Sequence, residues 1–206
     1  ENNHREWFHA NKKRYETDVK KPFYAFVELM IDQLAALDRT ILLTPKDCIF
    51  RINRDIRFSK DKTPYKTQMS AIISPGGRKA LSGPPGLYLQ FSVEDARIYS
   101  GLYQIEKKDL QNIREAIASQ PKEFAKLIKA KKFVDTFGEI HGEKNKRLPK
   151  DLREAAEAQP LIYNKSFYYF ASFPPDFILD PQLPQILVKH FKAAQPLNAF
   201  LRAAMA

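Results

Sequence analysis

Residues 51–66 read RINRDIRFSKDKTPYK and hold most of what this chain could use to do chemistry on an anion. Arg51, Arg54, Arg57, Lys60, Lys62 and Lys66 face only Asp55 and Asp61, so four positive charges are left over in sixteen residues. Each guanidinium is a planar fork of N–H donors that matches carboxylate or phosphate oxygens, and each ammonium is a compact point charge. Ile52, Ile56, Phe58 and Tyr65 run through the same stretch. Those apolar anchors distinguish it from a solvated basic tail and imply that the arginines are held in fixed places. Were the backbone extended, Arg51 and Arg57 would project to one side. Two readings stay open: the arginines clamp an anion, or they form an internal network with Asp55 and Asp61. In the first, either aspartate orients the forks or serves as a general base.

Other motifs carry less. Ser59 and Lys62 have the Ser-x-x-Lys spacing of serine–lysine acyl enzymes, but the companion motifs are absent and Ser59 reads better as a cap or turn residue. His4, His9, His141 and His190 fall in no zinc-ligand or facial-triad spacing, so no metal site is expected. Gly76-Gly77 lacks the Gly-Lys-Ser/Thr end of a phosphate loop, and no dinucleotide fingerprint follows a strand. No cofactor is called for. Cys48 is the one cysteine, which excludes an intrachain disulfide and suits a small buried hydrophobe.

The elements that must position the basic stretch follow from periodicity. Asn2 or Asn3 can cap a first helix in which Trp7, Phe8, Asn11, Tyr15 and Val19 recur at three-to-four spacing. Asn11 is the odd member of that stripe, because an amide facing inward needs a partner, such as a loop arginine or a ligand. Pro22 opens a second helix with a broad apolar face from Phe23 to Leu37. Residues 49–52 and 69–74 read as strands. Leu87, Leu89, Phe91 alternate with Tyr88, Gln90, and Ile98, Ser100, Leu102 with Arg97, Tyr99, Gly101, predicting an antiparallel hairpin across Glu94-Asp95. Helices follow at 107–118, from Pro121, and at 149–158, with a strand and a turn expected within 133–148. Residues 166–173 are a strand crowded with aromatics, and a last helix begins at Pro184 with a break near Pro196. Helices, a meander, then helices predict α+β: an antiparallel sheet packed against N-terminal and C-terminal helices, in one domain over 1–206.

The balance of 34 Lys and Arg against 24 Asp and Glu gives a charge of +10, which favours polyanions or small phosphorylated or carboxylated ligands. No apolar run reaches eighteen residues, so no membrane partner is expected, and the single cysteine suits a reducing cytoplasm. The chain opens on Glu1 rather than Met, so a trimmed start is expected.

Several of these residues together resemble the DUF2461 family. They are Asn2-Asn3, Arg5, Trp7-Phe8, Asn11 and Tyr15; Phe50-Arg51, Arg54-Asp55, Arg57-Phe58-Ser59, Asp61-Lys62 and Pro64-Tyr65-Lys66; then Gly101-Leu102-Tyr103, Arg114 and Lys146-Arg147-Leu148-Pro149. The resemblance spans nearly the whole chain and implies a single bacterial-type, cytoplasmic α+β domain, with no activity, cofactor or catalytic residue to carry over. Gln104-Ile105 departs from the proline-containing stretch usual after the family's Gly-x-Tyr element, which bears on the rim of any pocket.

The functional expectation is therefore an Arg-rich site for a small anionic ligand, whether bound or transformed. Its residues are Arg51, Arg54, Arg57, Lys62, Lys66, Asn11 and Tyr65, with Asp55, Asp61 and Ser59 orienting or structural. One alternative is a nucleic-acid-binding module using the same residues and the lysine clusters at 126–132 and 144–153. The other is a structural or partner-binding domain whose arginines only staple the fold. The aromatics Tyr168 and Tyr169 suggest either a stacking platform or core.

Overall fold

The computed structural model describes residues 2–206. The first helix, α1 (Arg5–Ala10), is capped by His4 rather than by either asparagine: its Nδ1 accepts from the Trp7 N–H at 3.4 Å. Helical geometry pauses at Asn11 and resumes as α2 (Lys12–Tyr15). A wide turn over Glu16–Lys20 follows, in which the Lys21 N–H reaches back five residues to the Glu16 carbonyl. The wide turn makes room for Pro22, which has no N–H to give and crowds the preceding turn. Helix α3 (Lys21–Ala35) then buries Phe23, Val27, Met30, Ile31 and Leu34, the stripe expected from its spacing.

Thr44 and Asp47 form a reciprocal capping box on the short α4 (Pro45–Cys48). The strand expected at 49–52 is absent. Ile49 makes one bridge to Ala71 and the Phe50 N–H donates to the Ser70 carbonyl at 3.0 Å. Beyond Phe50 the basic stretch doubles back on itself. The Arg54 N–H donates to the Pro64 carbonyl at 2.9 Å and the Lys66 N–H to the Ile52 carbonyl at 2.7 Å, around an Asn53–Tyr65 bridge.

Four strands form the sheet: β1 (Gln68–Ile73), β2 (Gly86–Ser92), β3 (Ala96–Leu102) and β4 (Phe167–Phe173). They are antiparallel neighbours in the order β1-β2-β3-β4. The β2–β3 hairpin turns at Glu94-Asp95 as expected, where the Ser92 hydroxyl accepts from the N–H groups of both residues. Between β3 and β4 the chain builds α5 (Lys107–Ser119), α6 (Pro121–Ile128), α7 (Lys131–Phe137) and α8 (Arg153–Ala158). The strand expected within 133–148 does not form: helix α7 occupies the start of that stretch, and Gly138, at φ +74°, ends it. His141 then bridges to Tyr168 on the outer edge of β4.

Helix α9 (Leu183–Ala204) runs through Pro196 without the expected break. A proline inside a helix costs about 3 kcal/mol. Burial of Leu187, Phe191, Ala194, Leu197 and Leu201 on the same helix outweighs that cost. The fold is α+β, its antiparallel sheet covered on one face by α3 near the N-terminus and α9 at the C-terminus. Ile98 of β3 belongs to the apolar cluster under α3, and Leu102 of the same strand to the cluster around α5–α7, so one sheet serves both. Among the described residues no helix is long and apolar enough to cross a membrane.

Candidate functional site

Strand alternation sends one set of side chains into the helices and the other set to the open face. The register arranges that open face in rows. One row is Ile72–Tyr88–Tyr99–Phe170, in which each residue faces the next across the sheet. A second is Gly86–Gly101–Tyr168, and a third is Ser70–Gln90–Arg97–Ser172. Ring centroids lie 5.7 Å apart for Tyr88 and Tyr99, 5.2 Å for Tyr99 and Phe170, and 5.4 Å for Tyr103 and Tyr168. The result is a platform of flat faces and ring edges rather than a set of separate side chains. Gly101 sits at φ +86°, and a Cβ there would press on the Phe167 carbonyl, so this point of the platform accepts only glycine.

The platform floors a cavity of about 560 Å³, a size suited to a small molecule. Phe50, Lys66, Tyr88, Tyr99, Tyr103 and Tyr168 line it, and Ala80, Leu81, Gly83, Pro84 and Pro85 complete its wall. Lys66 is its cation. Among the described residues every other lysine is exposed except Lys20, which is paired to Glu16 at 2.9 Å. Lys66 is half-buried, has no carboxylate within ion-pair distance, and holds its Nζ 5.4 Å above the Phe50 ring. Burial, followed by the nearby charge of Arg51, pushes its pKa below the usual lysine value. Burial likewise raises the Tyr88 phenol, against a hydrogen-bonding contribution from Ser70. Arg97 is not free: Asp95 binds it at 2.6 Å and its Nη1 donates to the Tyr99 hydroxyl at 3.3 Å.

The residues singled out from sequence divide into separate groups. Arg54 is clamped by Asp61 and by the Thr63 hydroxyl, and it also donates to the Thr63 carbonyl at 3.2 Å and the Ser59 hydroxyl at 3.4 Å. Arg57 forms a two-pronged pair with Asp55, at 2.9 and 2.7 Å. That pairing holds the Asp55 carboxyl down at about 2; the Thr63 N–H, and then Arg54, bring Asp61 to about 2 as well. Lys62 donates to the Ile56 carbonyl at 3.0 Å. Tyr65 stacks on Phe8 at 4.3 Å, and its backbone exchanges two hydrogen bonds with the Asn3 amide. Arg51 is exposed and outside the cavity lining. Asn11 meets neither a loop arginine nor the cleft: its amide donates to the Trp7 carbonyl, one turn back in its own helix, at 2.9 Å. Lys66 also borders two further hollows, one of about 870 Å³ lined by Asn3, Phe8 and Tyr65 among others, and one of about 440 Å³ lined by Arg54, Asp55 and Asp61 among others.

The sequence reading centred on the loop and, of the sheet, singled out only Tyr168 and Tyr169, so the cleft-lining Tyr88, Tyr99 and Tyr103 were not named as site residues. The signal was present, because Tyr88 and Gln90 occupy one parity of β2 while Arg97, Tyr99 and Gly101 occupy the matching parity of β3. The aromatics at 168 and 169 divide: Tyr169 lies in the core and Tyr168 on the platform. Cys48 is buried and its thiol pushed up to about 12 by burial, which leaves it inert.

The family model described as a conserved hypothetical protein (DUF2461) matches residues 1–200. No curated protein and no solved structure matches the chain.

Proposed function

Taking as premise that this chain belongs to the DUF2461 family, we propose that it binds a small anionic ligand bearing a planar ring. The ring rests on the platform of Tyr88, Tyr99 and Tyr168, and the anionic group meets Lys66. The observation that carries this reading is the state of Lys66: a half-buried cation in an aromatic cleft with no carboxylate within ion-pair distance. Withdrawing a charge from water without a partner is unfavourable, and an arriving anion removes that penalty. Stacking on an aromatic face adds on the order of 1–3 kcal/mol per ring by analogy with base stacking. In this reading Arg54 and Arg57, already occupied by Asp61 and Asp55, shape the loop that carries Lys66, while Arg51 adds long-range attraction.

A second reading is favoured by the same row of rings together with the charge of +10: a single nucleic-acid strand laid across the open face. The wall formed by Ala80–Pro85 favours one ring over a continuous strand.

A thermal-shift titration separates the two. Adenosine 5′-monophosphate and pyridoxal 5′-phosphate are expected to raise the melting temperature of the wild type more than inorganic phosphate does, and Lys66→Met is expected to lose that rise. Absence of stabilisation by either planar anion, or equal stabilisation of Lys66→Met, would overturn the proposal. Tight binding of oligothymidylate, with roughly 0.7 log unit lost per contacted phosphate per decade of salt, would favour the strand instead.

A further inference from the structure

We propose that Lys66 is a reactive amine, and that the cleft takes a ligand whose planar ring carries an aldehyde or ketone, which Lys66 captures as an imine. The inference rests on the reading of the cleft as a ligand site and adds a covalent step to it.

Three observations converge on this lysine. It is the one lysine among the described residues that is half-buried and lacks a carboxylate partner. A carboxylate would hold the nitrogen as ammonium, which has no lone pair to attack with. Its Nζ also lies over the Phe50 ring at the wall of a cavity floored by Tyr88, Tyr99 and Tyr168, so a stacked ring would carry its substituents toward the amine. Burial and the charge of Arg51 both act against the ammonium form, which is how lysines are made nucleophilic. The charge that Arg51 places nearby also remains after Lys66 has given up its own.

The step balances without an oxidant or reductant. The neutral Nζ attacks the carbonyl carbon; the C–N bond forms as the carbonyl π pair moves onto oxygen, which takes up a proton lost from nitrogen through solvent. The nitrogen lone pair of this carbinolamine then forms the C=N bond, and the C–O bond breaks. The oxygen leaves as water, carrying the second nitrogen proton. The sum is amine plus carbonyl giving imine plus water.

The test uses the full chain with pyridoxal 5′-phosphate, a planar anionic aldehyde, at a substoichiometric ratio. Sodium borohydride supplied at timed intervals reduces any imine to a stable amine, and peptide mass spectrometry locates it. Lys66 is expected to be labelled several-fold faster than the exposed Lys122, and Tyr99→Ala to bring that rate down to the Lys122 rate. Lys66→Arg keeps the cation but removes the amine, so it should lose the label at this position and keep the thermal stabilisation by pyridoxal 5′-phosphate. Stabilisation of the wild type with Lys66 labelled no faster than Lys122 would overturn the imine and leave the ligand reading standing. No stabilisation and no preferential label would remove both.

Discussion

The hydroxyl of Tyr169, in the middle of β4, donates to the side-chain oxygen of Asn198 on α9 at 2.6 Å. Both residues are buried. The same amide donates to the Ser100 hydroxyl at 2.9 Å, and that hydroxyl donates to the Gly86 carbonyl at 2.6 Å. A chain of three hydrogen bonds thus runs from the C-terminal helix through the core to the floor of the cleft, with each member satisfied by the next.

Asn198→Ala is expected to cost more than Tyr169→Phe. The first takes the short acceptor from the Tyr169 hydroxyl, leaving it only the Ala194 carbonyl at 3.5 Å, and removes the donor to Ser100, which keeps its bond to Gly86; the second leaves only an amide oxygen unpaired. Unsatisfied buried polar groups cost about 1–3 kcal/mol each. Urea denaturation should therefore place Tyr169→Phe about 1–2 kcal/mol below wild type and Asn198→Ala further down. Equal losses would show that the network is not a unit.

Gly101→Ala is expected to lower stability by about 2 kcal/mol or more, because positive φ and a close carbonyl both oppose a Cβ. The damage should be local to the β3–β4 seam. Hydrogen exchange at Tyr168 and Gly101 should accelerate more than exchange in β1. Unchanged exchange at the seam would contradict the tight approach to Phe167.

Asp61 sets a pH window for the basic loop. Its folded pKa, about 2, lies below the unfolded value near 3.9, so the folded state favours the carboxylate. Its contribution is fully present above about pH 4 and is lost as pH falls through about 2. The Thr63 amide, which donates to Asp61 at 2.9 Å, should report that midpoint in an NMR titration. A midpoint near 4 would mean that the clamp on Arg54 does not form in solution.

His190 acts in a higher range. It is buried with its ring edge-on to Phe137 and Phe173, and its Nδ1–H donates to the Ile186 carbonyl at 2.8 Å. Burial lowers its pKa against the smaller opposing effect of that hydrogen bond. The folded state prefers the neutral ring, so its contribution is present above the unfolded value near 6.5 and is lost as pH falls below it. The melting temperature should fall more steeply between pH 7 and pH 5 in wild type than in His190→Gln. Parallel slopes would assign the acid sensitivity elsewhere.

Local pattern was enough to read the helical stripe from Phe23 to Leu34 and the β2–β3 hairpin, since both follow from side-chain period alone. It was not enough for residues 49–52. Ile49 and Phe50 have strand-like composition, but only one bridge and one further hydrogen bond tie them to β1. Nor could it show α9 continuous through Pro196, because the side chains that bury Leu197 and Leu201 come from α5, α6 and α7, elements remote in sequence from that turn.

The candidate site divides in the same way. The density of cations in residues 51–66 and the matching parity of Tyr88 and Tyr99 are properties of the sequence alone. Which of those charges is neutralised depends on a backbone reversal that brings Asp61 back to Arg54 and leaves Lys66 without a carboxylate. Which face of the sheet stays open is likewise not contained in a strand's alternation, which defines two faces and labels neither. Both faces of this sheet carry large rings, Phe167 and Tyr169 on one and Tyr168 and Phe170 on the other. Only the packing of α3 and α9 against the first left the second as a platform.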